Sequence, residues 1–233
     1  KNANLNKANL KKAELKGASL QSANLSGANL IEADLENANL EEANLSFSKL
    51  ERANLSYARL EKVNLYGAHL CWTVLFKANL KKAALQFADL FRAILTGASL
   101  EEAILYGANF YGANLTSATL KNVLFANTAS FLAPRCPEKG SFEAWKKCKN
   151  NVLVKLLIPA DAKRSSATTF KCRASKAIVL DVIGAEEGVS PEGTVYRKGE
   201  TIVSGGWSED RWDGRTNGIH FFMSRGEAET FIV

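Results

Sequence analysis

Ala3-Asn4-Leu5, Ala8-Asn9-Leu10 and Ala113-Asn114-Leu115 are one phrase written again and again, and its period decides the fold. Every fifth residue from Leu5 to Leu120 is Leu, with Phe110 the single exception. Ala stands two places before each, except at Ser48, Val63 and Thr73. On an α-helix five residues advance about 500°, which scatters these leucines around the cylinder. On a straight strand an odd period throws Leu5 and Leu10 to opposite faces. A chain that makes the same turn every five residues gives them one core. Each Leu then points at a common axis, each Ala fills the narrower space beside it, and neighbouring coils stack as a solenoid.

This Ala-Asn-Leu-x-x run resembles the pentapeptide repeat family over residues 1–125. The resemblance implies a mainly β fold, a right-handed quadrilateral parallel β-helix of about six coils of four pentapeptides, with Leu and Ala inward. Residues 20 apart would then stack. One corner reads Glu41-Glu42, Glu61-Lys62, Lys81-Lys82, Glu101-Glu102 and Lys121, with signs mixed or opposed between most layers; a second reads Phe47, Tyr66, Phe87 and Tyr106. The Asn before Leu is expected to pair with backbone or to stack in a ladder. Outward Gly17, Gly27, Gly67, Gly97, Gly107 and Gly112 are expected where a turn needs the permissive backbone.

Composition divides the chain. Residues 1–125 hold no proline, and all four prolines follow residue 133. The expected domains are the β-helix at 1–125, a cap and linker at 126–140 with Phe131-Leu132 as cap, and a small α+β domain at 141–233. In that domain Ser141 is expected to cap a short amphipathic helix with Phe142, Trp145 and Cys148 on one side. Strands are expected at 152–158, 177–183, 193–197, 201–203 and 219–222, in a largely antiparallel sheet. Ser224-Arg225-Gly226-Glu227 is a capping box leading into a terminal helix. The phrases Ile158-Pro159-Ala160-Asp161-Ala162-Lys163-Arg164-Ser165-Ser166-Ala167-Thr168, Lys171-Cys172-Arg173-Ala174, Glu209-Asp210-Arg211-Trp212 and Gly218-Ile219-His220-Phe221-Phe222 resemble a family of C-terminal domains attached to bacterial and phage pentapeptide-repeat proteins. They carry no known chemistry.

No apolar stretch approaches a membrane span and no signal peptide is visible, although the chain enters the repeat already in register at Lys1. Cys71, Cys136, Cys148 and Cys172 lack Cys-x-x-Cys spacing and read as free thiols of a cytoplasmic protein. Gly205-Gly206 lacks the continuation of a phosphate loop, and two histidines are too few for a His-rich metal site, so neither cofactor nor metal is expected. The outward aromatics Tyr66, Trp72, Phe76, Phe87, Phe91, Tyr106 and Tyr111, with Val74, Ala84, Ile94 and Ile104 in the usual Asn slot, cannot be core. They imply contact with the chain's own C-terminal domain, with a second copy, or with a foreign protein.

The resulting expectation is a non-enzymatic scaffold for protein–protein contact. The competing class is an enzyme or ligand-binding activity in the C-terminal domain, where three residues are candidates. Cys172 has basic neighbours that could lower a thiol pKa. Arg211 belongs to an Asp210–Arg215 cluster that reads as a salt-linked turn, and His220 reads as a hydrogen-bonded, half-buried strand residue. Protection of DNA gyrase by imitating DNA, the best-known activity in the resembled family, needs an acidic rod. Residues 1–125 carry 14 Lys and Arg against 11 Asp and Glu, a net of +3, which opposes it. Lys and Arg are scattered over all sides, which also disfavours nucleic-acid binding.

Overall fold

The computed structural model describes residues 2–125, 128–129, 135–166, 169–210 and 217–232, and contains two compact units, Lys1–Ala133 and Pro134–Val233. In the first unit the residue before each Leu pairs in parallel with its counterpart 20 positions on, from Asn4↔Asn24 to Ile104↔Leu124. Four pentapeptides therefore complete one coil, as the family resemblance implies. The rungs are regular: Leu25 N–H donates to the Asn44 carbonyl at 2.7 Å, and Asn44 N–H to Ala23 at 2.9 Å. Each corner is closed by a bond of the kind Ala78 N–H makes to Leu75, 3.1 Å, around a residue with positive φ, here Lys77 at 53°. That combination is a type II turn. An L-residue in this conformation costs about 1–2 kcal/mol, yet Lys62, Trp72 and Lys82 accept it at 56°, 61° and 59°. Stacking of the coils must outweigh that strain.

The core is what the period of five demands. From Leu25 to Leu115 every residue on the Leu beat is fully buried, and the Ala beside it nearly so. Two of the three departures from Ala are polar, and both satisfy their hydroxyls. Ser48 Oγ donates to the Leu45 carbonyl and Thr73 Oγ1 to that of Leu50, each at 2.7 Å. The Asn slot is structural as well. Asn64 Oδ1 accepts from the Tyr66 N–H at 3.0 Å, while its Nδ2 donates to Asn44 Oδ1 one coil away at 3.2 Å. The repeat ends where Leu124 makes the last bridge and Phe125, at φ 59°, turns out of the core. The expected cap Phe131-Leu132 and Pro134 of the linker lie outside the described residues.

The second unit is built from β1 (Phe142–Lys147), β2 (Leu153–Ile158), β3 (Arg164–Ser166), β4 (Cys172–Ala174), β5 (Lys176–Ile183), β6 (Glu187–Val189), β7 (Val195–Arg197), β8 (Thr201–Val203), β9 (Ile219–Phe221) and α1 (Arg225–Thr230). Its sheets run β1-β2-β5-β8, β3-β4-β9 and β6-β7, all antiparallel. A bridge between Trp145 and Phe222 ties β1 to the end of β9. Val154, Leu156, Ile158, Ala177, Val179, Ile219 and Phe221 form the core. The strands expected from sequence became β2, β5, β7, β8 and β9, and α1 starts on the expected box, Ser224 Oγ accepting from Glu227 N–H at 3.2 Å.

The helix expected after Ser141 is a strand instead. β1 pairs with β2 from Phe142↔Ile158 to Lys147↔Leu153, and Ala144, Lys146 and Cys148 are buried at period two. The apolar run of β2 requires a hydrogen-bonded neighbour, and that tertiary demand overrides the accidental three-residue spacing of Phe142, Trp145 and Cys148. Strands β3, β4 and β6 read Arg-Ser-Ser, Cys-Arg-Ala and Glu-Gly-Val, with Val189 alone among them β-branched or aromatic, whereas the equally short β7, β8 and β9 are rich in such residues.

Candidate functional site

The 20-residue stacking sorts the outward aromatics by corner. Tyr66, Phe87 and Tyr106 share one corner with Phe47. Trp72, Phe91 and Tyr111 share the next, and Phe76 lies on a third beside Tyr57. The seven candidates therefore form separate columns, not one patch. Only the first column is long. Its ring centroids follow one another at 5.4, 5.5, 5.3 and 5.9 Å through Phe47, Tyr66, Phe87, Tyr106 and Phe125, with interplanar angles of 70–90°. Edge-to-face contact of this kind suits the ring quadrupole. The rings stay 59, 39, 52, 45 and 55% exposed in the same order, so they stack on one another while still facing solvent.

Two glycines make that column possible. A Cβ on Gly67 would meet the Phe47 ring at 2.8 Å, and one on Gly107 the Phe87 ring at the same distance. Their turn φ alone does not demand glycine, since lysine, arginine and tryptophan bear its strain at other corners. The expected backbone role holds, since both glycines have positive φ, 61° and 65°, and the ring stacked one coil away adds a second reason for glycine. Phe therefore alternates with Tyr, and Phe47 and Phe87 each lie over a Gly.

In the second column Arg92 stacks on Trp72, 4.8 Å from the guanidinium to the ring centroid, which leaves it a mixed, partly charged edge. The charged corner behaves as expected, with Lys62–Glu42 at 3.1 Å, Lys81–Glu101 at 3.3 Å and Lys82–Glu102 at 3.5 Å. Such exposed pairs support register more than stability. Sequence reasoning missed Phe125, which stands on the Leu beat and gave no outward signal, and Tyr57, which lies below the coils where aromatics gather.

In the second unit the reactive-thiol reading of Cys172 fails. The residue is buried on β4, and contact with the Cys136 side chain followed by burial pushes its thiol well above the ordinary range. Arg173 cannot help it, because adjacent strand residues face opposite sides. The Arg173 guanidinium is spent on the carbonyls of Ser208 at 2.9 Å and Asp210 at 2.6 Å and lies over Trp207. Arg164 similarly binds the carbonyls of Gly140, Pro159 and Ala160. The family-like phrases around 158–164 and 171–174 thus hold loops in place. Cys71 is no more reactive: burial and then its hydrogen bond to Asp89, 3.1 Å, push it up to about 12.

His220 is half-buried as expected, but among the described residues its Nε2 has no hydrogen-bond partner. Burial and then the charges of Lys171 and Lys146 hold it down to about 4, a neutral imidazole. Arg211 lies outside the described residues. Among the described residues no group of His, Cys, Asp and Glu could hold a metal, and no helix is long and apolar enough to cross a membrane.

The model of pentapeptide repeats matches residues 1–30, 18–56, 53–90 and 83–122, and that of a family of unknown function (DUF5758) matches 132–228. Among solved structures, HetL, a pentapeptide repeat protein involved in heterocyst differentiation regulation from the cyanobacterium Nostoc sp. strain PCC 7120, is 37% identical. That match covers 56% of this chain and 66% of HetL, with a TM-score of 0.41. A pentapeptide repeat protein of the Arabidopsis thaliana thylakoid lumen is 30% identical over 38% of this chain and 61% of its own, TM-score 0.35. QnrB1, a plasmid-mediated fluoroquinolone resistance protein, is 14% identical over 53% and 71%, TM-score 0.40. The chain thus spans just under two thirds of the length of the first two. No curated protein matches it.

Proposed function

This chain belongs to the pentapeptide repeat family, and from that premise we propose that it acts as a non-enzymatic scaffold whose Phe47–Phe125 column holds a protein partner. The observation that carries the reading is the column of five half-exposed rings. A buried aromatic covers about 150–250 Å², so five half-exposed rings leave on the order of 500 Å² of apolar surface, more than scattered surface residues explain. Covering it is worth on the order of 10 kcal/mol before association costs. The rod's interior needs none of these rings, because Leu and Ala already fill it. The net +3 of residues 1–125 counts against imitation of DNA.

Photo-crosslinking residues placed at Phe87, at Lys82 on the charged corner and at Thr116 elsewhere on the rod, in the native cell, test this reading. Discrete protein adducts are expected from position 87 alone. Equal labelling from all three positions, or none from 87, rejects the column as the contact surface.

A further inference from the structure

The corner that carries the aromatic column is also free of charge. Up the rod it reads Ser46-Phe47, Tyr66-Gly67, Gln86-Phe87 and Tyr106-Gly107, whereas the other corners of the same coils hold charged residues such as Arg52, Lys77 and Lys82. Phe and Tyr come from alternate coils, so each kind of ring recurs at every second coil. With coils stacked about 4.8 Å apart, like rings stand about 9.6 Å apart along the rod. Tyr66 and Tyr106 are both exposed, and among the described residues their hydroxyls make no hydrogen bond.

Building on the reading of this column as a partner surface, we propose that it holds a proline-rich segment in the polyproline II conformation, lying along the rod. Such a segment has three residues per turn at about 3.1 Å each, so its side chains return to one face about every 9.3 Å. Over the roughly 19 Å from Phe47 to Phe125 the two repeats slip by only about 0.6 Å. An α-helix, with a pitch of about 5.4 Å, slips by about 2.4 Å over the same coils. A strand returns to one face about every 6.7 Å and meets neither ring spacing.

The chemistry agrees with the spacing. A polyproline II backbone makes no internal hydrogen bonds, so its carbonyls accept from the two tyrosine hydroxyls while its pyrrolidine rings lie against the aromatic rings. Proline brings no charge to a corner that has none to pair with it. The segment is already extended in solution, so docking loses little ordering entropy. A second copy of this chain suits the column less well. Its apolar surface, on the order of 500 Å², falls short of the roughly 800 Å² that each partner of a stable complex covers.

The test titrates decaproline into the full chain by calorimetry, with a Gly-Ser peptide of equal length as control. Saturable binding of decaproline and none of the control is expected. Replacing both Tyr66→Phe and Tyr106→Phe keeps every ring and removes both hydroxyls, and should weaken binding several-fold. Phe87→Ala should weaken it about tenfold or more, while Trp72→Ala at the next corner should leave it unchanged. No saturable binding up to millimolar decaproline, or wild-type affinity in Phe87→Ala, overturns the proposal. So does sedimentation as a dimer that Phe87→Ala dissolves, which gives the column to a second copy. If Phe87→Ala does not fold, the double tyrosine variant decides, and wild-type affinity there rejects it. Crosslinking from position 87 separates this proposal from the reading beneath it. Discrete adducts that excess decaproline does not suppress sink the polyproline ligand and leave the partner surface standing, whereas decaproline binding without adducts does the reverse.

Discussion

Gly67 shows how a residue can be fixed by something far away in sequence. Its φ of +61° favours glycine, although Trp72 bears the same angle at the next corner, and the Phe47 ring 2.8 Å from a would-be Cβ adds a second reason. Gly67→Ala is expected to lose about 1–3 kcal/mol from overpacking, beyond the turn strain that Gly17→Ala alone incurs, since nothing lies within 4 Å of a Cβ at Gly17. A double-mutant cycle of Gly67→Ala with Phe47→Ala in urea should recover most of that loss; additive effects would mean the ring does not sit over the glycine. That second reason was illegible in sequence because the partner is 20 residues away and the turn already offers a local explanation. His220 was half legible: its strand and partial burial could be read, but the lysines around it could not. Its folded pKa, about 4, is depressed from 6.5. Stability from the neutral ring is therefore full above the unfolded value and is lost as pH falls toward the folded one. The upper figure is roughly 3 kcal/mol. Lys171, Lys146 and Arg173 oppose protonation and Glu192 favours it. His220→Phe should lose less stability than wild type between pH 7 and pH 4; identical losses would show that the imidazole is not the group titrating.

At the scale of the element, the coil was legible because its signal is redundant, and β1 was not because its signal is borrowed. Each coil repeats the same inward Leu and Ala four times, so a single departure such as Thr73 is absorbed by one hydrogen bond to the Leu50 carbonyl. β1 takes its conformation from β2, and Trp145 from its bridge to Phe222, which no window of local sequence contains. The same redundancy predicts where coils are vulnerable. Leu65→Ala opens a cavity in a fully buried row and should cost about 2–5 kcal/mol. Lys82→Ala removes an exposed ion pair with Glu102 and should stay within about 0.5 kcal/mol. Matching urea midpoints for the two variants would mean that the Leu beat does not face the core.

For the molecule as a whole, two periods are superimposed: five residues set the core and 20 set the surface. Sequence revealed the first unambiguously, because every pentapeptide carries it. The second showed only in the charged and aromatic corners, where side chains one coil apart answer each other. The two can be separated by deletion. Removing residues 21–40, one whole coil ahead of the column, keeps the Leu beat and leaves Phe47 over Gly67 and beside Tyr66. Removing the single pentapeptide 51–55 also keeps the beat, so the solenoid should still fold, each coil depending only on its neighbours. It turns Phe47 a quarter of a coil away from Tyr66, Phe87 and Tyr106, however, with the loss of one aromatic contact worth about 0.5–1.5 kcal/mol. Circular dichroism should therefore report a folded β-helix for both deletions. If the column is the partner surface, crosslinking from position 87 should survive the loss of residues 21–40 and weaken after the loss of 51–55, because the partner then meets three aligned rings and Phe125 in place of five. Equal crosslinking from both would separate partner binding from the column, while an unfolded 51–55 deletion would mean that the corners, and not the leucines alone, hold the coils in register.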